Sequence, residues 1–213
     1  MIINRPKKGK YVTFEGINGV GKTFYLSKFK EKFKIKDFFI IDDKLTGVSL
    51  RIFEAMLNKD PFFRGGFPMG EALCWFAIDL IEFEKKAINS LSKNQIVIQD
   101  RGMDTTALYA AISLNKQNTK ISVIEFYKKI IKIREDIGVI PDLTVLFIDD
   151  FDLCIKRVEE RDNRKYSKEE IDFLKKAYEG FKEIANINPK RIKIINKRNK
   201  NDDEVLEEIK KLI

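Results

Sequence analysis

Lys10-Tyr11-Val12-Thr13-Phe14-Glu15-Gly16-Ile17-Asn18-Gly19-Val20-Gly21-Lys22-Thr23 runs from a strand-like segment directly into a glycine-rich turn. Tyr11 to Phe14 is apolar, aromatic and β-branched, the composition of a buried strand. Gly16 and Gly21 are separated by four residues and followed at once by Lys22 and Thr23, the G-x-x-x-x-G-K-[ST] pattern. Backbone N–H groups can curl around a polyphosphate only where side chains leave room, and the next helix aims its positive end at the same anion. Gly16, Asn18, Gly19, Val20, Gly21, Lys22 and Thr23 are therefore predicted to hold ATP. Lys22 would bridge the β- and γ-phosphates, and the Thr23 hydroxyl would ligate Mg2+. The run after the loop alternates Leu26, Phe29 and Phe33 with Lys28, Lys30 and Lys32, as an amphipathic helix does.

Composition narrows the classes. A chain of 213 residues is long enough for one substantial core, and a single domain over 1–213 is expected. It has no apolar run long enough for a membrane span and no secretory signal at its start, so a cytoplasmic protein without membrane contact is expected. Cys74 and Cys154 have no metal-ligand spacing and read as small apolar residues of a reducing compartment. Histidine is absent, which excludes triads and histidine general bases. The net charge of +8 comes from lysines beside acids along helix faces, the pattern of solvated surfaces, so nucleic acid is not the expected partner.

Five strand-like runs, Tyr11 to Phe14, Phe38 to Ile41, Gln95 to Gln99, Leu143 to Ile148 and Arg191 to Ile195, alternate with helical patterns. That alternation predicts an α/β fold of the P-loop NTPase type: three layers, a five-stranded parallel sheet flanked by helices, and a small lid. Met69 to Leu91 reads as the longest helix, apolar almost all round, which is core or pocket wall. Glu159 to Tyr166 is dense in charge and reads as a mobile loop within a lid at about 157–167.

Two further groups carry chemistry. Asp100-Arg101 ends the third strand, and ligands in open α/β sheets sit beyond the carboxyl ends of strands. Asp100 is placed to hold Mg2+ and Arg101 to grip a phosphate bidentately. Arg157, Arg161 and Arg164 could neutralise a transferring phosphoryl group from the lid; the alternative is a solvated charge run.

Together these segments resemble the thymidylate kinase family of nucleoside monophosphate kinases over nearly the whole chain. Phe14-Glu15-Gly16 through Thr23 is similar to its F-E-G-x-x-G-x-G-K-[ST] loop, and Pro141-Asp142-Leu143-Thr144 to its P-D-L-T. Glu71 to Asp79 resembles a family helix whose phenylalanine stacks on the acceptor base, which implies that role for Phe76. Asp100-Arg101 with Thr105, Thr106 and Tyr109 resembles the segment that grips the acceptor monophosphate. The resemblance further implies that Arg157 stacks on adenine, that Arg161 is a lid arginine, and that a homodimer forms. The apolar helix from Met69 is either a dimer face or core; pattern alone does not separate them. Gly19 stands where one subtype has a catalytic arginine, so the lid subtype is implied.

Four positions depart from the family pattern. Leu80 replaces an arginine that reads the thymine edge, Asn18 an acid that contacts the sugar, and Gly102 a tyrosine. Asp42 to Gly47 replaces an arginine-bearing loop, where Lys44 could take over acceptor binding. The expected enzyme is an ATP- and Mg2+-dependent kinase acting on a nucleoside monophosphate, foremost dTMP, with Lys22, Arg101 and Arg161 stabilising the transferred group. Three alternatives stay open: a kinase for another nucleoside monophosphate, a nucleoside kinase, or an inactive P-loop regulator that binds nucleotide.

Overall fold

The computed structural model describes residues 9–33, 38–41, 45, 47–56, 68–93, 95–117, 120 and 122–213. Its centre is a five-stranded parallel sheet in the order β2-β3-β1-β4-β5. These strands are β1 Lys10–Glu15, β2 Phe38–Ile41, β3 Ile96–Asp100, β4 Leu143–Ile148 and β5 Ile192–Asn196. All five lie where the sequence places them, the third and fifth displaced by one residue. The glycine-loop strand β1 is central, with Phe14 beside Asp100 on one edge and beside Val145 on the other. Every residue of β4 is buried, as its continuous apolar run requires. Asp142 fixes the β1–β4 register from both sides, accepting from Tyr11 N through its carboxylate and donating its own N–H to Tyr11 O.

Period-two alternation sorts β1 onto two packed faces. Val12 and Phe14 join the main core with Phe147 and with Tyr25 and Phe29 of α1, Lys22–Phe33. Tyr11 faces the other layer, its ring 5.0 Å from Phe83. That layer includes α3, Pro68–Glu82, which continues through a π-helical turn at Phe83–Ala87 into α4, Ile88–Ser92. The single long helix read from the sequence is thus interrupted by one wide turn. Ahead of it lies α2, Gly47–Ala55, which the periodicity had not marked. The helices after β3 are α5, Met103–Gln117, and α6, Val123–Asp136, the latter opened by a Ser122–Glu125 capping box.

The chain beyond β4 corrects one expectation. Residues 159–162 are not loop but the last turn of α7, Phe151–Asp162, which ends on Asn163 in a left-handed conformation. Glu159 explains the order that follows: its carboxylate accepts from Lys165 Nζ at 2.7 Å and from Tyr166 N at 3.0 Å. Ser167 and Glu170 then cap α8, Lys168–Ile187. Charge density here signals a hydrogen-bonded turn rather than a solvated run. After β5 the chain closes with α9, Asp202–Leu212, whose first turn carries Asp202, Asp203 and Glu204 at its positive end.

Candidate active site

The loop after β1 is shaped by what lies behind it. Gly19 has φ +79°, and a Cβ there would meet the Cys154 carbonyl oxygen at 2.1 Å. The loop is seated directly on α7, and in this conformation a side chain at 19 has no room. Arg157 donates to Gly19 O at 3.4 Å and Lys197 to Val20 O at 2.7 Å. Both cations are gathered by Asp149 at the end of β4, at 2.7 and 3.2 Å. Burial pushes the Asp149 carboxyl up, but these cations and the Asp150 N–H outweigh it and hold it low. Asp149 and Lys197 are site residues that the sequence reading missed. An acid ending an apolar strand, as at Asp100, was a signal for the first; Lys197, one of several cations after β5, offered none.

Lys22 is buried and donates to the loop carbonyls of Gly16 at 2.8 Å and Ile17 at 3.0 Å. Burial, reinforced by the Arg101 charge, lowers its pKa to about 7. Thr23 Oγ1 donates to Asp100 Oδ2 at 2.5 Å, which joins the donor loop to the end of β3. The other carboxylate oxygen, Asp100 Oδ1, is buried with no hydrogen-bond partner among the described residues. A hydroxyl and a carboxylate with an unused lone pair are the hard oxygen donors that Mg2+ takes when phosphates complete its shell. The residues present therefore fit that ion.

Next in the chain, Arg101 takes φ +60°, and its backbone N–H is held by Phe14 O at 3.1 Å. Its guanidinium donates to Asn18 Oδ1 at 2.7 Å, and the Tyr109 hydroxyl approaches the same oxygen at 3.4 Å. Asn18, Arg101 and Tyr109 thus come together across three elements. Gly102 has no space for the tyrosine of the family pattern: its Cβ would lie 2.5 Å from Thr13 Cγ2.

These groups open onto a cavity of about 550 Å³ between the loop, α3, α5 and the end of α7. Thr105, Thr106 and Tyr109 line it from α5. From α3 it is lined by Trp75, Ile78, Asp79 and Glu82, a stripe at helical spacing. Phe76, expected against the acceptor base, is not in this lining; one residue onward turns its ring toward α6, where the Arg134 guanidinium lies 4.7 Å from its centroid. Leu80 likewise packs onto the cluster of Tyr11, Ile41 and Phe83. Trp75, whose ring is 5.5 Å from that of Phe53 in α2, forms the aromatic wall. Asp79 is paired to Arg134 at 2.8 Å, although burial still raises its pKa. Arg161, Asp162, Arg164 and Tyr166 close the far side. Arg161 pairs with Asp162 at 2.7 Å, and Arg164 binds Glu170 through two bonds of 2.9 Å. Lys44 lies outside the described residues.

Residues 14–209 match the profile of the family described as thymidylate kinase. The chain is 32% identical to the thymidylate kinase of Rickettsia rickettsii (strain Sheila Smith), with 98% of this chain and 99% of that protein covered. It is also 32% identical to the thymidylate kinase of Mycoplasma capricolum subsp. capricolum, with 95% of this chain and 93% of that protein covered. Among solved structures, the thymidylate kinase from Ehrlichia chaffeensis superposes with a TM-score of 0.61 at 22% identity, covering 95% and 97% of the two chains. The fold, the loop from Gly16 to Thr23 and the full-length match agree, and the chain belongs to the thymidylate kinase family.

Proposed function

We propose that the protein transfers the γ-phosphoryl group of ATP to dTMP, giving dTDP and ADP. The observation that carries this reading is the join between Thr23 and Asp100, with Arg101 next in sequence turned to Asn18 and Tyr109 at the cavity. Donor phosphates on the loop and an acceptor phosphate at Arg101 then fall side by side, and alignment with charge neutralisation is most of what phosphoryl transfer asks of a protein. Lys22 and Arg101 supply positive charge from below, and Arg161 supplies it from the closing side once it exchanges Asp162 for phosphate. Thr23 and Asp100 hold the Mg2+ that accompanies ATP, which when bound neutralises phosphate charge. Arg157 lies over the outer face of the loop, where a stacked adenine would contact it. Tyr109 binds the acceptor monophosphate beside Thr105, whose own hydroxyl is turned to Glu15, and Trp75, rather than Phe76, stacks on its base.

Met69 and Leu73 stand exposed on the outer side of α3, which agrees with a homodimer built on that helix. The free thiols Cys74 and Cys154 agree with the cytoplasmic placement expected from the sequence. The test is ADP release from ATP and Mg2+ with dTMP, dUMP, UMP, dCMP, CMP, dGMP, AMP or free thymidine as acceptor. Turnover led by dTMP is expected. Turnover led by thymidine would replace the reading with a nucleoside kinase, and ATP binding without acceptor-dependent turnover would replace it with a regulator.

A further inference from the structure

A helix leaves its first N–H groups without partners, and a side chain at the cap position ordinarily takes one of them. In α5 that position is Gly102, whose carbonyl accepts the first helical bond from Thr106 N at 3.3 Å and which has no side chain to offer. Nor could another residue stand there, since its Cβ would meet Thr13 Cγ2 at 2.5 Å and Glu15 Oε1 at 3.2 Å. The cap comes instead from β1. Glu15 Oε1 accepts from Gly102 N at 3.0 Å and Asp104 N at 3.2 Å, and the Thr105 hydroxyl donates to Glu15 Oε2. Asp104, the nearest competing acid, is turned away to Arg191 at 2.7 and 2.8 Å.

We infer that Glu15 is a positioning residue for the acceptor: from the last position of β1 it caps α5 across the sheet and thereby sets Arg101, Thr105 and Tyr109 at the cavity. Glu15 is fully buried and lines no part of the cavity, so it acts only through these partners. Its place one residue before Gly16 ties the acceptor segment to the donor loop through the central strand. The side chain that fixes the acceptor segment is thus carried by the backbone that bears the donor loop. Burial, together with the neighbouring Asp104, pushes the Glu15 carboxyl well above its ordinary range, so a neutral amide is a close chemical substitute. Glutamine can accept both N–H groups on Oε1 and donate to the Thr105 oxygen from its amide nitrogen, whereas methionine fills the space and accepts neither.

The inference rests on the dTMP reading, which wild-type turnover tests separately. Steady-state KM for dTMP and for ATP would be measured for Glu15→Gln and Glu15→Met. Glu15→Met is expected to raise KM for dTMP by about tenfold, the worth of a lost cap, while KM for ATP stays within about twofold. Glu15→Gln is expected to bring the dTMP value back to within about threefold of wild type. An unchanged dTMP KM in Glu15→Met, or equal rises for both substrates, overturns the inference. Should Glu15→Met not fold, Glu15→Asp takes its place: a carboxylate set back by one methylene cannot reach both amides and Thr105, and the same rise in dTMP KM is required of it. Amide hydrogen exchange at Gly102 and Asp104 reads the cap without any substrate. Loss of protection in the methionine or aspartate variant, and its retention in the glutamine variant, is the required result.

Discussion

Trp75 and Phe76 are adjacent on α3 yet face different surroundings, and exchanging each for alanine separates base recognition from packing. Trp75 lines the cavity with Phe53 beside it. Stacking of a base on an aromatic side chain is worth about 1–3 kcal/mol by alanine substitution, so Trp75→Ala should raise KM for dTMP by roughly 5- to 150-fold. Phe76 instead covers the Arg134 guanidinium, which is 2% exposed and bound to the largely buried Asp79. Its loss removes a desolvated cation–π contact of about 2 kcal/mol and part of a ring's burial, together roughly 2–4 kcal/mol. For a domain of this size that lowers Tm by roughly 4–16 °C, with no direct effect on the acceptor. Steady-state kinetics and thermal melts of the two variants, side by side, are sufficient. If Phe76→Ala carried the rise in dTMP KM and Trp75→Ala left it unchanged, the orientation of α3 described above would be wrong, and the assignment of the aromatic wall with it.

Lys22→Met should cut kcat by orders of magnitude because the cation beside the transferring group is lost. The same variant has a signature in stability. The Lys22 pKa is about 7 in the fold against an ordinary 10.5, so between those values the unfolded chain holds a proton that the folded one lacks, and this group's contribution grows more favourable as pH rises. Chemical denaturation of wild type and Lys22→Met should therefore differ most in favour of the variant near pH 7 and converge toward pH 10. A constant difference across that range would refute the burial-driven shift. Asp100→Asn keeps an oxygen for Thr23 but drops the charge, so the Mg2+ concentration for half-maximal turnover should rise by about tenfold or more. Gly102→Ala should cost about 1–3 kcal/mol in denaturant melts, since its Cβ has to displace Thr13.

The fold was legible because its signals are local. Each strand is a short apolar run, and a glycine pattern ending in Lys22-Thr23 has one structural context, strand–turn–helix. The same holds for the end of β3, where Asp100 and Arg101 follow an apolar run directly. What escaped was set by tertiary contacts. The facing of α3 depends on which side the sheet lies, and a segment apolar almost all round has too weak a periodicity to tell Trp75 from Phe76. Residues 159–166 have the composition of a loop, yet Glu159 reaching Lys165 and Tyr166 makes them a helix end and a tight turn. Lys197 meets Asp149 and Val20 only because β5 lies beside β4, which no spacing in the sequence announces.

The same contrast bears on where specificity can change within this fold. The groups proposed to handle phosphate are placed mostly by backbone, the loop amides by β1 and Asp100 and Arg101 by the end of β3, while the Glu15 side chain holds the start of α5. Glu15 apart, replacing one side chain leaves that frame standing, so phosphoryl transfer tolerates divergence. In the proposed reading the base would face one wall made of α3, where Trp75, Ile78, Asp79 and Glu82 project at helical spacing. A polar site discriminates by leaving the wrong partner's groups unpaired, so a single exchange there redirects recognition at little cost to the fold. Asp79 already spends its charge on Arg134, across the helix pair from the cavity. Arg134→Met would release it. A buried carboxylate left with the Thr106 hydroxyl and no cation takes up a proton, and a protonated Asp79 offers the base a donor where the paired one offers only acceptors. The expected outcome is a changed ratio of kcat/KM among dTMP, dUMP and dCMP, with KM for ATP unaltered. An unchanged ratio in a folded variant would remove Asp79 from base recognition and leave Trp75 and Glu82 to carry it on that wall.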